Sequence, residues 1–233
     1  NGVGSAAPVI SSNLVFNSVG TNGGATGGEG IIYVSGGYTS GIATISGTIT
    51  AKTLTKSGAG DLVLSGTNNS ILGNLTVNEG TLTAVGTGGT TRQTATLVLI
   101  DTANLNVNGG NVTFASLSGT AGTVGNASGT AGTLTINGSQ NTTFFGNIVD
   151  VIGAGTSTTG LIKSGSGTLT LGNITANNTY AGQNSFTGGV TLNQGILIAQ
   201  DPLALGGANG STPGTVTLNG GELRLNSNGG GPN

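Results

Sequence analysis

The chain has 233 residues, a formal net charge of −2 and only 5% charged residues, against about 25% in ordinary soluble domains. Its five Lys and Arg residues cannot form a basic stripe that neutralises phosphates, which argues against nucleic-acid binding. Without His or Cys, catalysis by a nucleophile–histidine pair is excluded. No apolar run reaches the ~18 residues that a membrane-spanning helix needs.

The hydrophobic pattern indicates a folded, all-β protein. Disordered chains combine low hydrophobicity with high net charge, whereas 34% of these residues are hydrophobic. Most of them are Val, Ile and Leu in alternation with Thr, which is typical of half-buried strands. No helical period is present, and the 48 glycines would oppose a helix by about 1 kcal/mol per interior site.

Taken in order, the chain is predicted to have an extended N-terminal segment at 1–13, one continuous domain at 14–225 and a polar tail at 226–233. The domain opens with short strands and a glycine-rich loop, TNGGATGGEG, at 21–30. These first strands are predicted at residues 14–19, 31–34, 42–45 and 49–54.

A long internal repeat organises the rest of the domain. Three segments recur in the same order: KSGAGDLVL (56–64) as KSGSGTLTL (163–171), LTVNEGTLTAV (75–85) as VTLNQGILIAQ (190–200), and LNVNGGNVTF (105–114) as VTLNGGELRL (216–225). The two copies therefore lie near residues 52–114 and 159–225, and a repeat of this kind is typical of arrays and solenoids.

Alternation within the strands predicts which residues form the core, because successive strand side chains point to opposite faces. The predicted core residues are Leu62, Leu64, Leu75, Val77, Leu105, Val107, Leu134, Ile136, Leu169, Leu171, Val190, Leu192, Val216, Leu218, Leu223 and Leu225. Asn-Gly pairs predict tight corners, since Gly adopts positive φ and stacked Asn side chains form ladders. The predicted turn residues are Asn108, Gly109, Asn137, Gly138, Asn219 and Gly220.

Short strands with one apolar face fit a sandwich, a barrel or a solenoid. The recurrence of similar strands and of Asn-Gly corners favours the solenoid, as does an aromatic content of only 3%. The sequence therefore predicts a parallel β-helix without α-helices. With rungs of roughly 20–25 residues, it would have about ten rungs.

The second copy resembles the autotransporter-associated β-helix repeat of bacterial surface proteins, whose motif reads GxGTLTLSGxNTYTGGTTVNxGTL. The matching segments are residues 165–171, 178–182, 188–192 and 195–197, while the first copy lacks the Thr-Tyr-x-Gly-Gly part between Asn69 and Gly73. The resemblance implies a right-handed β-helix in the passenger domain of a cell-surface protein. The chain is accordingly expected to be a mature product or a fragment of a longer passenger.

A search for chemistry finds little. Glu79 and Asp101 could meet on one face with Arg92 nearby, as in an acid-dependent polysaccharide-cleaving site, but isolated solubilising charges explain them more simply. Lys56-Ser57 and Lys163-Ser164 are interpreted as corner residues rather than catalytic pairs. No catalytic residue, cofactor site or metal site is predicted.

The predicted function is structural: an extracellular fibre or filament subunit, or a stalk segment of an autotransporter-type surface protein, with adhesion as an added role. The alternative is a glycan-binding module on the same scaffold, with Tyr33, Tyr38 and Tyr180 as stacking candidates; a polysaccharide-degrading enzyme ranks third. The last predicted strands, within 216–225, carry no cap and no Pro, and open edges template further pairing. Head-to-tail self-association into a filament is therefore expected, together with a surface or glycan contact.

Overall fold

The computed structural model describes residues 7–17, 27–37, 41–67, 69–85, 94–174, 180–181, 184–207, 210 and 212–225. These residues form 26 β-strands and no α-helix. The strands are β1 (Val9–Ile10), β2 (Leu14–Val15), β3 (Glu29–Tyr33), β4 (Ile42–Ile45), β5 (Ile49–Ala51), β6 (Thr53–Ser57), β7 (Asp61–Leu64), β8 (Ser70–Ile71), β9 (Asn74–Val77), β10 (Thr81–Ala84), β11 (Thr96–Leu99), β12 (Asn104–Asn106), β13 (Asn111–Phe114), β14 (Ser116–Gly119), β15 (Thr123–Asn126), β16 (Gly132–Ile136), β17 (Thr142–Phe144), β18 (Asn147–Val151), β19 (Thr159–Lys163), β20 (Thr168–Leu171), β21 (Asn173–Ile174), β22 (Tyr180–Ala181), β23 (Val190–Leu192), β24 (Ile196–Ala199), β25 (Val216–Leu218) and β26 (Glu222–Leu225).

The strands wind into a parallel β-solenoid. A seven-stranded sheet has the order β1-β4-β7-β10-β12-β15-β18, and a nine-stranded sheet has the order β3-β6-β9-β11-β14-β17-β20-β24-β26. The third face consists of β2-β5-β8 followed by β13-β16-β19-β23-β25. Every pairing in these sheets is parallel, whereas β21 and β22 form a separate antiparallel pair. The predicted fold class is confirmed.

The seven-stranded sheet is the shortest of the three faces, so the solenoid has about seven turns in which all three faces are present, somewhat fewer than the ten rungs that the sequence predicts. The estimate assumes rungs of uniform length, and the chain does not keep to it. Ser65 and Ile45, on consecutive rungs, are 20 residues apart, but Ser46 and Ile10 are 36 apart. Ser164 and Asn193 are separated by 29. Long connections therefore use residues that the estimate assigns to further rungs.

The first turn also begins earlier than the predicted boundary at residue 14. Strand β1 pairs with β4, with Val9 opposite Thr44 and Ile10 opposite Ile45. Residues 9–13 therefore belong to the solenoid rather than to a separate extended segment. Residues 1–6 and 226–233 lie outside the described residues.

The core is built by in-register stacking of equivalent side chains. Leu82 lies between Leu62 and Leu105 in the seven-stranded sheet, and Leu105 pairs with Val124 on the next turn. Each of these four side chains is fully buried. Burial of one Leu contributes about 1.5–3 kcal/mol, so the repeated column stabilises every turn through its two neighbours.

Most predicted core positions do lie inside. Buried side chains are found at Leu62, Leu64, Leu75, Val77, Leu105, Val107, Leu134, Ile136, Leu169, Leu171, Val190 and Leu192.

The predicted burial of the last turn is wrong for three of its four residues. Leu218 is 57% exposed, Leu225 is 75% exposed, and Val216 is also exposed, while Leu223 is partly buried. All four keep their register, for example Leu218 opposite the buried Leu192. They are exposed because no described strand covers their other side.

Buried Asn side chains hold the corners that follow the seven-stranded sheet. The Asn126 side chain is fully buried. Its Oδ1 accepts hydrogen bonds from the Gly109 and Ser128 amides at 2.9 and 3.0 Å. Its Nδ2 donates to the Thr130 and Thr158 carbonyls at 2.7 and 3.1 Å. One amide thus satisfies backbone groups on three consecutive turns, which buried polar groups require.

Another polar row runs along the outer side of the opposite corner. Asn219 Nδ2 donates to Asn193 Oδ1 at 2.9 Å, and Asn193 Nδ2 donates to Ser164 Oγ at 3.0 Å. Asn137 precedes Ser164 in register, since Ile136 pairs with Lys163. The predicted Asn ladder is thus present between Asn193 and Asn219, with Ser164 in place of an Asn.

The predicted Asn-Gly turns differ from one another. Asn108 and Gly109 both have positive φ, at 50° and 68°, as the prediction of a tight corner requires. Gly138 has no positive φ; a Cβ there would lie 2.5 Å from the Ala115 carbonyl oxygen, so close backbone approach requires the glycine instead. At the third site the positive φ falls on Gly221, at 75°, rather than on Gly220.

Leu171→Asp is expected to destabilise the protein by about 4 kcal/mol or more, since it buries an unpaired charge. Thr170→Asp, on the outer face of the same strand, should cost about 1 kcal/mol or less. Urea denaturation monitored by far-UV circular dichroism measures both. Equal midpoints for the two variants would place the strand register one residue away from that described here.

Asn126→Ala should lower the free energy of unfolding by about 2–3 kcal/mol, because it leaves two carbonyls and two amides of the buried corner without partners. Asn137→Ala is the matched control, since Asn137 is exposed, and it should change stability by about 0.5 kcal/mol or less. Thermal or urea unfolding of the pair tests the expectation. A loss of the same size in both variants would contradict the role of the buried amide.

Candidate functional site

The two carboxylates proposed for an acid-dependent site lie on one corner of the solenoid. Val77 pairs with Leu99 on the next turn. Glu79 and Asp101 each lie two residues after these paired positions, so they occupy equivalent places at the same corner of consecutive turns. Both residues are exposed, and Arg92 lies outside the described residues. Within the described ranges, no group of three or more His, Cys, Asp or Glu residues could hold a metal ion.

The Lys-Ser pairs do not form nucleophile–base dyads. Lys56 is buried inside the solenoid, and Ser57 follows it in β6, so the two side chains point to opposite faces. Ser57 Oγ instead accepts a hydrogen bond from Asn78 Nδ2 at 3.4 Å on the next turn. Lys163 and Ser164 repeat the arrangement, with Ser164 in the outer Asn row.

The two lysines themselves are the least expected feature of the interior. Lys56 stacks on Val77, and Lys163 lies between Ile136 and Leu192, so each lysine occupies a position that neighbouring turns fill with an aliphatic residue. The stems of both side chains are therefore packed in the core, and both residues are buried.

The ammonium groups are held by main-chain carbonyls at the corner. Lys56 Nζ donates to the Gly58 carbonyl, and to that of Glu79 at 2.8 Å on the next turn. Lys163 Nζ donates to the Gly165 carbonyl, and to that of Gln194 at 3.4 Å on the next turn. Each lysine thus ties two successive corners together from inside, a role that a polar side chain in a core can fill only with such partners.

Burial lowers the pKa of both lysines. At Lys56 desolvation is the main cause and outweighs the nearby charges of Asp61 and Glu79, which act in the opposite direction. At Lys163 desolvation alone lowers the pKa. The sequence analysis assigned these lysines to the corner but missed their burial. The alternation of side chains along the strand could have revealed this burial, because Lys56 and Lys163 each follow an inward-facing Leu by two residues in the same strand.

Asp201 is a buried carboxyl group at the turn after β24. Its Oδ1 accepts a hydrogen bond from the Leu203 amide at 2.8 Å, while its Oδ2 has no hydrogen-bond partner. Burial raises the pKa of this carboxyl group, against the lowering effect of the Leu203 amide. Within the described part of the chain its pKa is affected by burial and the Leu203 amide and by no second carboxylate, whereas a glycosidase site needs a pair of carboxylates.

Two open grooves lie on the outer faces. One, of about 350 Å³, lies on the seven-stranded sheet, and its lining includes Asp61, Thr81, Asn104, Thr123, Val149, Val151, Ile152 and Gly153. The other, of about 520 Å³, lies on the nine-stranded sheet where β11, β14 and β17 meet. Only the second contains an aromatic ring, that of Phe145.

The predicted aromatic candidates do not come together at either groove. Tyr33 is 72% exposed on β3, at the first turn. Tyr38 and the side chain of Tyr180 lie outside the described residues. Sequence reasoning did not single out Phe145 as a candidate. Its position after the inward-facing Phe144 is the signal for an outward ring.

The fold and these surfaces define a β-solenoid repeat protein, and comparison with known families agrees. The passenger-associated-transport-repeat family matches residues 54–84 and 161–199. These segments run from β6 to β10 and from β19 to β24. Two segments of the chain are therefore similar to this family's repeat, and the solenoid matches an autotransporter passenger β-helix repeat, which confirms the resemblance drawn from the sequence.

No curated protein and no solved structure matches the chain significantly. Among the described residues, no helix has the length and apolar character needed to cross a membrane. The family matches suggest a structural role and a surface-exposed location.

The buried lysines change one expectation drawn from composition. With no His and few charges, stability should barely vary between about pH 5 and 9. A lysine whose pKa is lower in the folded state binds fewer protons there. The free-energy penalty of burying its charged ammonium group is therefore fully present at pH values below the folded-state pKa. That penalty is relieved as the pH rises through the folded pKa toward the ordinary value of 10.5. Stability is therefore expected to increase on the alkaline side.

Urea midpoints measured from neutral to alkaline pH test this expectation. The Lys56→Met/Lys163→Met double variant should lose the increase, while Lys52→Met, which alters an exposed lysine, should retain it. An identical pH profile for the double variant and the parent chain would show that neither buried ammonium group changes its proton affinity on folding.

Proposed function

We propose that this chain is a structural segment of an autotransporter-type passenger, which serves as a stalk or fibre on the bacterial cell surface. The observation that carries the proposal is that the two family-matched segments each contribute strands to the same nine-stranded parallel sheet. A module that stacks equivalent strands turn on turn suits a spacer, because each added turn extends the rod by about 4.8 Å.

The surface chemistry supports a spacer outside the cell. Charged residues make up 5% of the chain, and the outer row formed by Asn219, Asn193 and Ser164 is polar and uncharged. Such a surface gives weak long-range electrostatics, so salt should affect it little. The absence of Cys also suits passage through an oxidising compartment.

Self-association through the terminal turns extends this proposal. Strand β26 is the edge of the nine-stranded sheet and β3 is its other edge. Leu218 and Leu225 are exposed at one end, and Val9 and Ile31 at the other. Two such ends complement each other in a heterologous contact that does not close, which generates a filament. In a longer passenger, the same surfaces would stack on neighbouring turns of the same chain.

The cell-surface role can be tested with antibodies raised against this chain. Immunogold labelling of intact cells of the source organism should decorate the outer surface, and mild protease treatment of intact cells should remove the label. Labelling that requires cell lysis would contradict the surface location, whatever the chain does when isolated.

Self-association needs its own experiment on the purified chain. Sedimentation and negative-stain microscopy should show filaments that lengthen with concentration. Leu218→Glu/Leu225→Glu should shorten or abolish them by placing charges in the stacked interface. Leu72→Glu, at a residue that is 61% exposed on the side of the rod, should leave them unchanged. A monomer at high concentration would rule out the filament and leave the spacer role standing.

A further inference from the structure

The strand pairing of the nine-stranded sheet is interrupted at one place, between β14 and β17. These neighbours share a single registered pair, Gly119 with Phe144. The other neighbours in this sheet share three to five pairs. The groove of about 520 Å³ lies at this interruption, within the range of about 300–1,000 Å³ that small-molecule sites occupy.

Small residues form the floor of the groove and larger ones its walls. Ser118 and Gly119 belong to β14, opposite Val98 and Leu99 of β11. A Cβ at Gly119 would lie 2.3 Å from the Leu99 carbonyl oxygen, so no side chain fits there. The Phe145 amide donates to the Gly119 carbonyl at 2.9 Å, which fixes the backbone of the aromatic wall beside the floor.

The lining combines one aromatic ring, two aliphatic side chains and a set of hydroxyl and amide groups. The lining residues are Val98, Ile100, Ser118, Gly119, Thr120, Asn141, Thr142, Thr143 and Phe145. None of them is ionisable. The Asn141 Oδ1 accepts a hydrogen bond from the Thr168 amide at 2.9 Å, which anchors this side chain to the next turn.

We infer that this groove binds a neutral carbohydrate chain, with a sugar ring stacked on Phe145 and its hydroxyl groups bonded to Ser, Thr and Asn side chains along the floor and rim. The π-face of an aromatic ring attracts the weakly positive C–H groups of a sugar face. Hydroxyl and amide side chains both donate and accept, as a polyhydroxylated ligand requires. A groove that crosses three neighbouring strands on the side of the rod suits a chain rather than a single sugar.

The chemistry of the lining disfavours other ligands. An acidic or sulfated glycan needs Lys or Arg at the site, and the lining has neither. A purely apolar ligand would leave the hydroxyl and amide groups desolvated without partners, which is costly. The inference goes beyond the structural role, and the spacer function does not depend on it.

A printed array of neutral, sialylated and sulfated glycans tests the inference on the purified chain. Binding is expected for neutral oligosaccharides and should be little changed by salt, since no charge contributes. For the strongest neutral ligand, measured by titration calorimetry, Phe145→Ala should weaken binding about tenfold or more, and Ser118→Trp should block it by filling the floor.

Tyr33→Ala is the matched control, because it removes an exposed aromatic ring of the same sheet outside the groove. It should leave the affinity within about twofold of the parent chain. Urea midpoints confirm that each variant is folded; Ser118→Trp provides the test if Phe145→Ala is unstable. The inference is overturned if no neutral glycan binds, if charged glycans bind instead, or if the groove variants bind as well as Tyr33→Ala.

Discussion

In-register stacking of parallel strands is the constraint on which the rest of this structure depends. Each inward side chain lies on its equivalents in the turns before and after, as Leu82 does between Leu62 and Leu105. The main packing partners of an inward residue are therefore the equivalent residues on the two neighbouring turns, rather than side chains from many different elements. Short strands of four residues suffice, because each one shares its backbone hydrogen bonds with two neighbours. The corners then carry the remaining polar groups, and these are where the chain uses its Asn, Gly and Lys residues.

How far the sequence could predict this fold depends on how local each signal is. Alternation in β7 or β20 is visible in the chain itself, so Leu62 and Leu171 could be placed inside without a structure. The number of turns could not be predicted, because it depends on how many residues each connection uses. Ile10 and Ser46 are 36 positions apart on consecutive turns, and nothing in the intervening sequence indicates that it forms one turn rather than two. The last turn shows another limit: Leu218 has the pattern of a core residue, but burial needs a neighbour on both sides.

The candidate sites were harder to predict than the core, for two physical reasons. Lys56 and Lys163 look like surface residues by composition, since isolated charges are rarely buried. Their burial becomes intelligible only when the facing carbonyls of Gly58 and Gly165 are seen at the corner. The groove beside Phe145 depends on where the hydrogen-bonded pairing of two strands is interrupted. The register between strands on consecutive turns cannot be read from the sequence of either strand alone.

These two features show how a regular solenoid accommodates departures from its repeat. A regularly stacked sheet presents even outer rows, and a local loss of pairing is one way to form a concavity on it. At β14 and β17 that loss coincides with small residues in the floor, Ser118 and Gly119, and with an outward ring at Phe145. A break produced by strain alone would not need an aromatic wall. The turns on both sides, β9 with β11 and β20 with β24, are fully registered, so the rigid stack holds the opening in a fixed shape. Preorganisation of this kind reduces the ordering cost of binding, which is the advantage that a stiff scaffold gives to a shallow site.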